Sequence, residues 1–270
     1  DLTDNAGNED TSFQRAYVEG KLGGLNVTAG RYNAFFANGN VYDTRADGVE
    51  VSYGSKVKVT GFAGKAADGL AFSDFGAGLG TEFDFEGGNY AGAELSANLN
   101  KLNVAGGYVN FKDIAKGSVL NDKTVVPEGI DDAIWYVGAD YNFDGNVALS
   151  AMYLKGDASY NDIDVDKVLY HNDGWTVGLT YKGAEASEAG SWGLFANYYD
   201  QGFGTYLAHT TDANTFAGTG FKGYGVGANY TFAKNIVGTV AYYDTESKFA
   251  KDFGEKIADQ RVWADVTFTF

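Results

Sequence analysis

The chain of 270 residues contains no cysteine and a single proline. The absence of cysteine excludes a disulfide framework, a thiolate metal site and a cysteine nucleophile. Basic residues are also few, 20 against 36 acidic ones, and the net charge of −16 argues against a nucleic acid partner. The longest purely apolar run, "AIWYV", is far shorter than the ~18 residues that a transmembrane helix needs.

Alternation of apolar and polar side chains with a period of two runs through most of the chain and is typical of β-strands. Glycine (38 residues), tyrosine (19) and phenylalanine (19) are abundant, which suits strands joined by tight turns. The alternation predicts thirteen strands, which begin near Phe13, Leu25, Gly48, Val57, Tyr90, Leu102, Ala133, Val147, Trp175, Ser191, Lys222, Ile236 and Gln260.

The connections between these strands alternate in length. Tight turns are predicted at 23–24, 54–56, near Asn100, at 144–146 and at 233–235. Long acidic or glycine-rich stretches lie between them, at 33–47, 65–89, 113–132, 156–174, 201–221 and 246–259. Short turns on one rim and long loops on the other are typical of an outer-membrane barrel, whose rims face the periplasm and the outside.

The two faces of each strand differ in the same way along the chain. In "WTVGLTYKG" one face carries Trp175, Val177, Leu179 and Tyr181, and the other face is polar. Aromatic rings at both ends of an aliphatic band favour the two headgroup levels of a bilayer. A soluble antiparallel sandwich also alternates and is the alternative. The sequence therefore predicts an all-β protein, a transmembrane antiparallel β-barrel that forms one domain over 1–270.

Strand parity predicts that the chain begins inside the barrel sequence. The last strand descends to the short-turn rim, and the first strand descends too, so Asp1 is expected in an extracellular loop. Bacterial single-chain barrels have an even number of strands. An odd number of strands is therefore expected to precede Asp1.

The segment "FQRAYVEGKLGGLNVTAGRYNAFF", followed by "DTRADGVEVSYG", resembles the general porins of Gram-negative bacteria. The resemblance implies sixteen strands in the intact protein, with three absent here, and a homotrimer in the outer membrane among its lipids. It implies a water-filled channel for ions and small hydrophilic solutes. The sequence of this segment is most similar to the porin domains of Negativicutes surface-layer-homology-domain porins. That finer similarity implies an alternative role, in which the barrel anchors a missing N-terminal domain that binds peptidoglycan or another cell-wall polymer.

The same resemblance implies a pore constriction, formed by an inward-folding loop at 33–47. Opposed charges in a narrow passage create a transverse field that sorts ions by sign, and a weak cation preference is expected. Rim salt bridges that only brace the loop are the alternative. The predicted constriction residues are Arg15, Arg31, Arg45, Asp43, Asp47 and Glu50. The residues that parity predicts to line the lumen are Lys58, Glu94, Asp140, Lys182, Arg261 and Asp265.

The chain ends on "VWADVTFTF", an alternation that closes on an aromatic residue. A closing strand of this kind is, by the same resemblance, the signal that the barrel-assembly machinery reads. The resemblance therefore implies that Phe268 and Phe270 form an assembly signal.

Other motifs favour neither an enzyme nor a cofactor site. The acidic loop 161–166 spaces Asp162, Asp164 and Asp166 like a calcium loop, but it lacks the required Gly and the Glu at position twelve. Whether it binds divalent cations stays open. His171 and His209 are isolated in predicted outer loops, without a nucleophile nearby. The prediction is a protein without catalytic activity, cofactor or specific metal site.

Overall fold

The computed structural model describes residues 2–5, 8–11, 13–66, 70–72, 83–85, 88–114, 118–120, 123–126, 131–160, 163–164, 171–216, 219–252 and 254–269. Almost all of their regular structure is strand. The strands of the main sheet are β1 (Ala16–Leu22), β2 (Leu25–Phe36), β3 (Tyr42–Gly54), β4 (Val57–Ala66), β5 (Asn89–Leu99), β6 (Leu102–Lys112), β7 (Asp131–Asn142), β8 (Val147–Tyr160), β9 (Asp173–Lys182), β10 (Trp192–Gln201), β11 (Phe221–Ala233), β12 (Ile236–Ser247) and β13 (Ala258–Phe268).

Smaller elements decorate this sheet. Three short strand pairs are Leu2–Asn5 with Asn8–Thr11, Leu70–Phe72 with Phe83–Phe85, and Ser118–Leu120 with Lys123–Val126, while Ile163–Asp164 pairs with the end of β8. A 3₁₀ turn spans Ala37–Gly39 and a short helix, α1, spans Lys248–Asp252. None of the helices in the described ranges has the length and hydropathy of a membrane span.

Each strand of the main sheet pairs antiparallel with the next strand in sequence, from β1 to β13. The thirteen predicted strands are thus confirmed, and they form one continuous sheet. This meander excludes the sandwich alternative, which requires two sheets packed face to face. The register keeps like side chains together, since Leu149 lies opposite Leu179 and Trp192 lies opposite Tyr230.

The tight turns form where the sequence predicts them, because residues that tolerate positive φ occupy them. Gly23 and Gly24 have φ of 58° and 87°, and Asn100 and Asn235 have φ of 69° and 66°. At the turn after β7, the Asp144 carboxylate accepts the backbone N–H groups of residues 146 and 147 at 2.9 and 3.1 Å. These two donors hold the pKa of Asp144 below its usual range.

The two faces of the sheet are chemically distinct. Trp135 and Val137, neighbours on one face of β7, are each 59% exposed, whereas Ile134 and Tyr136 on the other face are buried. Exposed Trp, Tyr, Phe, Leu and Val side chains cover the first face, which we call the outer face. The buried apolar side chains belong to the second, inner face, where segments from the loops pack on the wall. A sheet with its apolar side outward requires a lipid environment.

Candidate functional site: the inner face and its two inward segments

The inner face is partly covered by the end of the β2–β3 hairpin, residues 30–48, here called the inward hairpin. Its side chains Phe36, Val41 and Tyr42 are fully or almost fully buried. Phe36 stacks on Phe62 of β4 with ring centroids 4.2 Å apart, and Tyr42 lies 5.8 Å from Phe111 of β6. The stretch 33–47, predicted as a loop, is therefore mostly an extension of β2 and β3 closed by the 3₁₀ turn.

The tip of the inward hairpin reaches strands that are distant along the sheet. Asn38 hydrogen-bonds the carboxylate of Asp140 on β7. The Asn40 amide lies 3.7 Å from the sulfur of Met152 on β8, and the Gln201 amide of β10 donates to the Asn40 carbonyl at 3.1 Å. Register places these partners on the inner face, so the hairpin crosses the interior of the barrel.

Glycine permits the close approach at the base of this hairpin. A Cβ atom on Gly48 would lie 2.5 Å from the Tyr90 hydroxyl and 2.7 Å from the carbonyl oxygen of Ala63. Real Cβ contacts are not that short, so only glycine leaves room for Tyr90. The Tyr90 hydroxyl lies 3.4 Å from that of Tyr32, and the two rings bring the hairpin base against β5.

Four of the predicted constriction residues lie on the face of the hairpin that points away from the wall. The Arg31 guanidinium forms a two-pronged ion pair with Asp47, at 2.8 Å from Nε and 2.6 Å from Nη2. Arg45 donates to the side chain of Gln14 at 2.8 Å, and Asp43 accepts from Asn33 at 2.7 Å. The predicted charges are thus brought together, but they pair within the hairpin and with Gln14, just before β1, instead of facing each other across a gap.

The other two predicted constriction residues lie on the wall beside the hairpin. Arg15 and Glu50 line a cavity of about 440 Å³ together with Tyr17, Glu19, Thr28, Tyr32, Asn33 and Phe35. In the described part of the chain no hydrogen bond or ion pair neutralises Arg15 or Glu19. Charged groups of both signs therefore face a water-accessible space.

A second segment also folds inward, and sequence reasoning missed it. We call residues 202–216 and 219–220, between β10 and β11, the latch segment. Its backbone pairs with the inward hairpin through Asp43 N to Ala208 O (2.7 Å), Ala208 N to Val41 O (3.1 Å) and Thr210 N to Gly39 O (2.8 Å). The Thr210 hydroxyl donates to Asp43 at 2.6 Å. Its many small polar residues are typical of an outer loop. The only sequence signal for burial of the segment is the aromatic residues within and beside it.

His209 of the latch segment, predicted to lie isolated in an outer loop, contacts the wall. Its ring lies 5.3 Å from Tyr199, 6.0 Å from Tyr206 and 5.5 Å from Phe221, nearly perpendicular to each. The backbone N–H of Thr211 donates to Nδ1 at 2.9 Å, while Nε2 is buried without a partner among the described residues. Burial lowers the pKa of His209 to about 3, and the nearby Asp43 only partly opposes this shift.

Most of the residues predicted to line the lumen lie on the inner face. Glu94 accepts the Tyr136 hydroxyl at 2.9 Å, and Lys58 attracts Glu50 electrostatically. On β13, Arg261 donates to the Asp212 carbonyl of the latch segment at 3.0 Å, and Asp265 accepts from Trp263 at 3.3 Å.

Lys182 departs from its predicted lumen position. Its Nζ lies 4.7 Å from the ring of Trp192 and 5.6 Å from that of Tyr181, which are outer-face rings. A φ of 58° ends β9 at this residue and turns the side chain out of the strand's alternation. Lys182 is therefore a cation–π partner of the aromatic belt at the short-turn rim.

The remaining sequence predictions concern the ends and the loops. Phe268 lies exposed on the outer face at the end of β13, and Phe270 lies outside the described residues. Asp162 and Asp166 of the acidic loop also lie outside them, as does the side chain of Asp164. Over the described ranges, His, Cys, Asp and Glu side chains form no group of three or more that would hold a metal ion.

Comparison with known proteins shows the fold. No protein-family model and no curated protein matches this sequence. Among solved structures, the chain is similar to Pseudomonas aeruginosa OccK5 (OpdH), with a TM-score of 0.59 and 14% identity over 94% of this chain and 70% of that one. It is also similar to the trimer form of OmpT, an outer membrane protein of Vibrio cholerae, with a TM-score of 0.54 and 18% identity over 97% and 80%. The P. aeruginosa protein OccK9 (OpdG) matches with a TM-score of 0.54 and 11% identity over 92% and 64%.

The solved structures that are similar to this chain and its apolar outer face both indicate a membrane-spanning barrel. The chain has the antiparallel β-barrel fold of Gram-negative outer-membrane proteins, as the sequence predicts.

Proposed function

We propose that this protein is a porin-type channel of the bacterial outer membrane, through which ions and small hydrophilic solutes diffuse passively. The observation that carries the proposal is the inward hairpin, whose tip is anchored on β7, β8 and β10 while its charged face stays exposed. A strand hairpin held across the interior narrows a barrel without filling it. Narrow passages with fixed charges select solutes by size and sign.

The charge of the inner face supports a weak preference for cations. Glu19, Glu50, Glu94, Asp140 and Asp265 outnumber Arg15, Lys58 and Arg261 among the inner-face residues discussed above. A low-dielectric wall strengthens the field of these groups and concentrates ions of opposite sign. The net charge of −16 acts in the same direction.

Planar bilayer recordings test the proposal directly. Purified, refolded protein is expected to insert with stepwise increases in conductance, and a potassium chloride gradient is expected to give a reversal potential of the sign for weak cation preference. Absence of conductance steps from protein that has folded and inserted, judged by its β-rich circular dichroism and heat-modifiable gel mobility, would refute the channel. A reversal potential of the opposite sign would refute only the cation preference.

The assembly and the alternative role remain predictions that rest on the resemblance to porins. We propose a homotrimer, which crosslinking in detergent and native gels would reveal. The role of an anchor for a peptidoglycan-binding N-terminal domain is tested by the full gene product, which would need to carry a surface-layer-homology domain. We infer no enzymatic activity. In the described ranges the imidazole of His209 accepts its hydrogen bond from the Thr211 backbone and packs among aromatic rings, and no Ser hydroxyl is hydrogen-bonded to it as a nucleophile, although Asp43 lies nearby.

A further inference from the structure

The latch segment is a second structure inside the barrel, and its position depends on two sets of contacts. One set joins it to the inward hairpin through backbone hydrogen bonds at Gly39, Val41 and Asp43. The other joins it to the inner wall, where Thr245 of β12 donates to the Asn214 carbonyl at 3.0 Å and Arg261 of β13 donates to the Asp212 carbonyl at 3.0 Å. While both sets hold, the segment occupies space inside the barrel.

His209 lies where these two sets meet, and its surroundings accept only the neutral ring. Nδ1 receives a hydrogen bond from the Thr211 N–H, so the ring proton is on Nε2. Protonation would place a second N–H at Nδ1, pointing at the Thr211 donor, while the Nε2–H has no acceptor in the described surroundings. An imidazolium ion in this position loses a hydrogen bond and gains a donor–donor contact.

We propose that His209 is an acid-sensitive latch: its protonation releases the latch segment from the inner wall and the inward hairpin and thereby widens the passage. The inference rests on the proposed channel function. It concerns a residue and a segment that the channel itself does not require, since the inward hairpin narrows the barrel without them.

The direction of the pH dependence follows from how readily His209 binds a proton in the latched and the released state. In the released state the ring is solvated and titrates near 6.5, whereas burial lowers its pKa to about 3 in the latched state. The released state therefore binds the proton more readily, and acid favours release. Between these two values the ratio of released to latched molecules rises roughly tenfold for each unit by which the pH falls.

Some charged groups around His209 favour release of the latch segment in acid and others oppose it. Asp43 of the hairpin lies near the ring and favours the imidazolium, but burial outweighs it. Asp212 of the latch segment has a pKa raised by burial and by Asp265, so acid protonates it more easily in the latched state, and this opposes release. Arg261 of β13 lowers that pKa in part. The remaining neighbours, Tyr199, Tyr206 and Phe221, stay neutral in the acid range.

The test uses the variant His209→Asn, because the Asn side-chain oxygen can accept the Thr211 N–H and does not titrate. In bilayers, the parent protein is expected to increase its conductance between pH 7 and pH 4.5, a range in which the released-to-latched ratio rises by roughly a hundredfold. His209→Asn is expected to match the parent at pH 7 and to lose this increase. An equal acid response in both proteins would assign the effect to other groups and overturn the proposal.

A distance measurement tests the latch proposal independently of the channel proposal. Because the chain has no cysteine, spin labels can be placed at Thr215→Cys, whose side chain makes none of the contacts to the inward hairpin named above, and at Thr180→Cys on the inner face of β9. In liposomes the distance between the labels is expected to shift and broaden at pH 4.5, and to stay unchanged when His209→Asn is added. This readout needs no conductance, so failure of the channel proposal would leave it intact. An unchanged distance at pH 4.5 in the labelled parent would overturn the latch.

A crosslink supplies the converse control. The Thr210 hydroxyl and the Asp43 carboxylate meet at 2.6 Å, so Asp43→Cys with Thr210→Cys brings two thiols together. Under oxidation the latch is expected to stay closed at pH 4.5, and reduction is expected to restore the acid response in the same molecules. An acid response that survives the crosslink would place the moving element elsewhere.

Discussion

Arg31 and Asp47 face each other across β2 and β3 and form a two-pronged ion pair, with Nε to Oδ1 at 2.8 Å and Nη2 to Oδ2 at 2.6 Å. Both side chains remain about half exposed, at 44% and 51%. Exposed pairs of this kind contribute only about 0.2–1 kcal/mol to stability. Their consequence for the channel is electrostatic, because the pair presents almost no net charge to the passage.

Breaking this pair from either side is expected to shift ion selectivity in opposite directions. Arg31→Ala removes a positive charge and strengthens the cation preference, whereas Asp47→Ala removes a negative charge and weakens it. Reversal potentials in a salt gradient measure both changes. The double variant keeps the parent's net charge and should return close to its reversal potential. Shifts of the same sign in both single variants would contradict this assignment.

Removal of the Phe36 ring is expected to release the inward hairpin. Phe36 is 2% exposed and stacks on Phe62, and truncation of a buried Phe costs about 3–5 kcal/mol. Phe36→Ala should therefore increase single-channel conductance and its fluctuations while the barrel itself stays folded. The matched control is Phe35→Ala, whose ring on the other hairpin face is 53% exposed. Equal conductance changes in the two variants would show that Phe36 does not anchor the hairpin.

The base of the hairpin is expected to tolerate no Cβ atom at Gly48. Gly48→Ala forces Tyr90 and the Ala63 carbonyl apart, and overpacking of this kind costs about 1–3 kcal/mol. Thermal unfolding in detergent measures the loss. Gly61→Ala in neighbouring β4 serves as the control, because its added methyl group meets nothing within 4 Å. A Gly61 variant as unstable as the Gly48 variant would point to strand propensity instead of the clash with Tyr90.

Adjacent residues of β9 test the assignment of the two faces. Leu179 lies on the outer face and Thr180 on the inner face. Leu179→Arg is expected to destabilise the membrane-inserted barrel by about 2–4 kcal/mol, the cost of Arg on the lipid face at the midplane. Thr180→Arg should leave stability nearly unchanged and weaken the cation preference. Denaturant unfolding in lipid bilayers measures the stability loss, and reversal potentials measure the ion preference. If Thr180→Arg destabilised the barrel and Leu179→Arg did not, the assignment of the two faces would be wrong.

The sequence predicts the wall of this protein almost completely. A period of two is a local property, so the thirteen strands, their order and the lipid-facing sides of residues such as Leu179 and Trp192 follow from short windows of sequence. Turns with Gly, Asn and Asp at fixed places set where each strand ends, because these residues accept positive φ or cap the turn. The membrane-adapted outer face follows from the same alternation.

The interior depends on contacts that no short window contains. Thr210 and Asp43 are 167 positions apart in sequence, and Gln201 and Asn40 are 161 apart. Side-chain types alone do not reveal that the latch segment and the inward hairpin meet, or that His209 is enclosed by Tyr199, Tyr206 and Phe221. Lys182 is a further residue whose position local alternation does not predict. At this strand end a positive φ turns its side chain away from the face that alternation assigns to it. Local sequence thus determined which residues face lipid, whereas only the tertiary structure decided which distant segments share the inner face, because burial there depends on which segments fold over the wall.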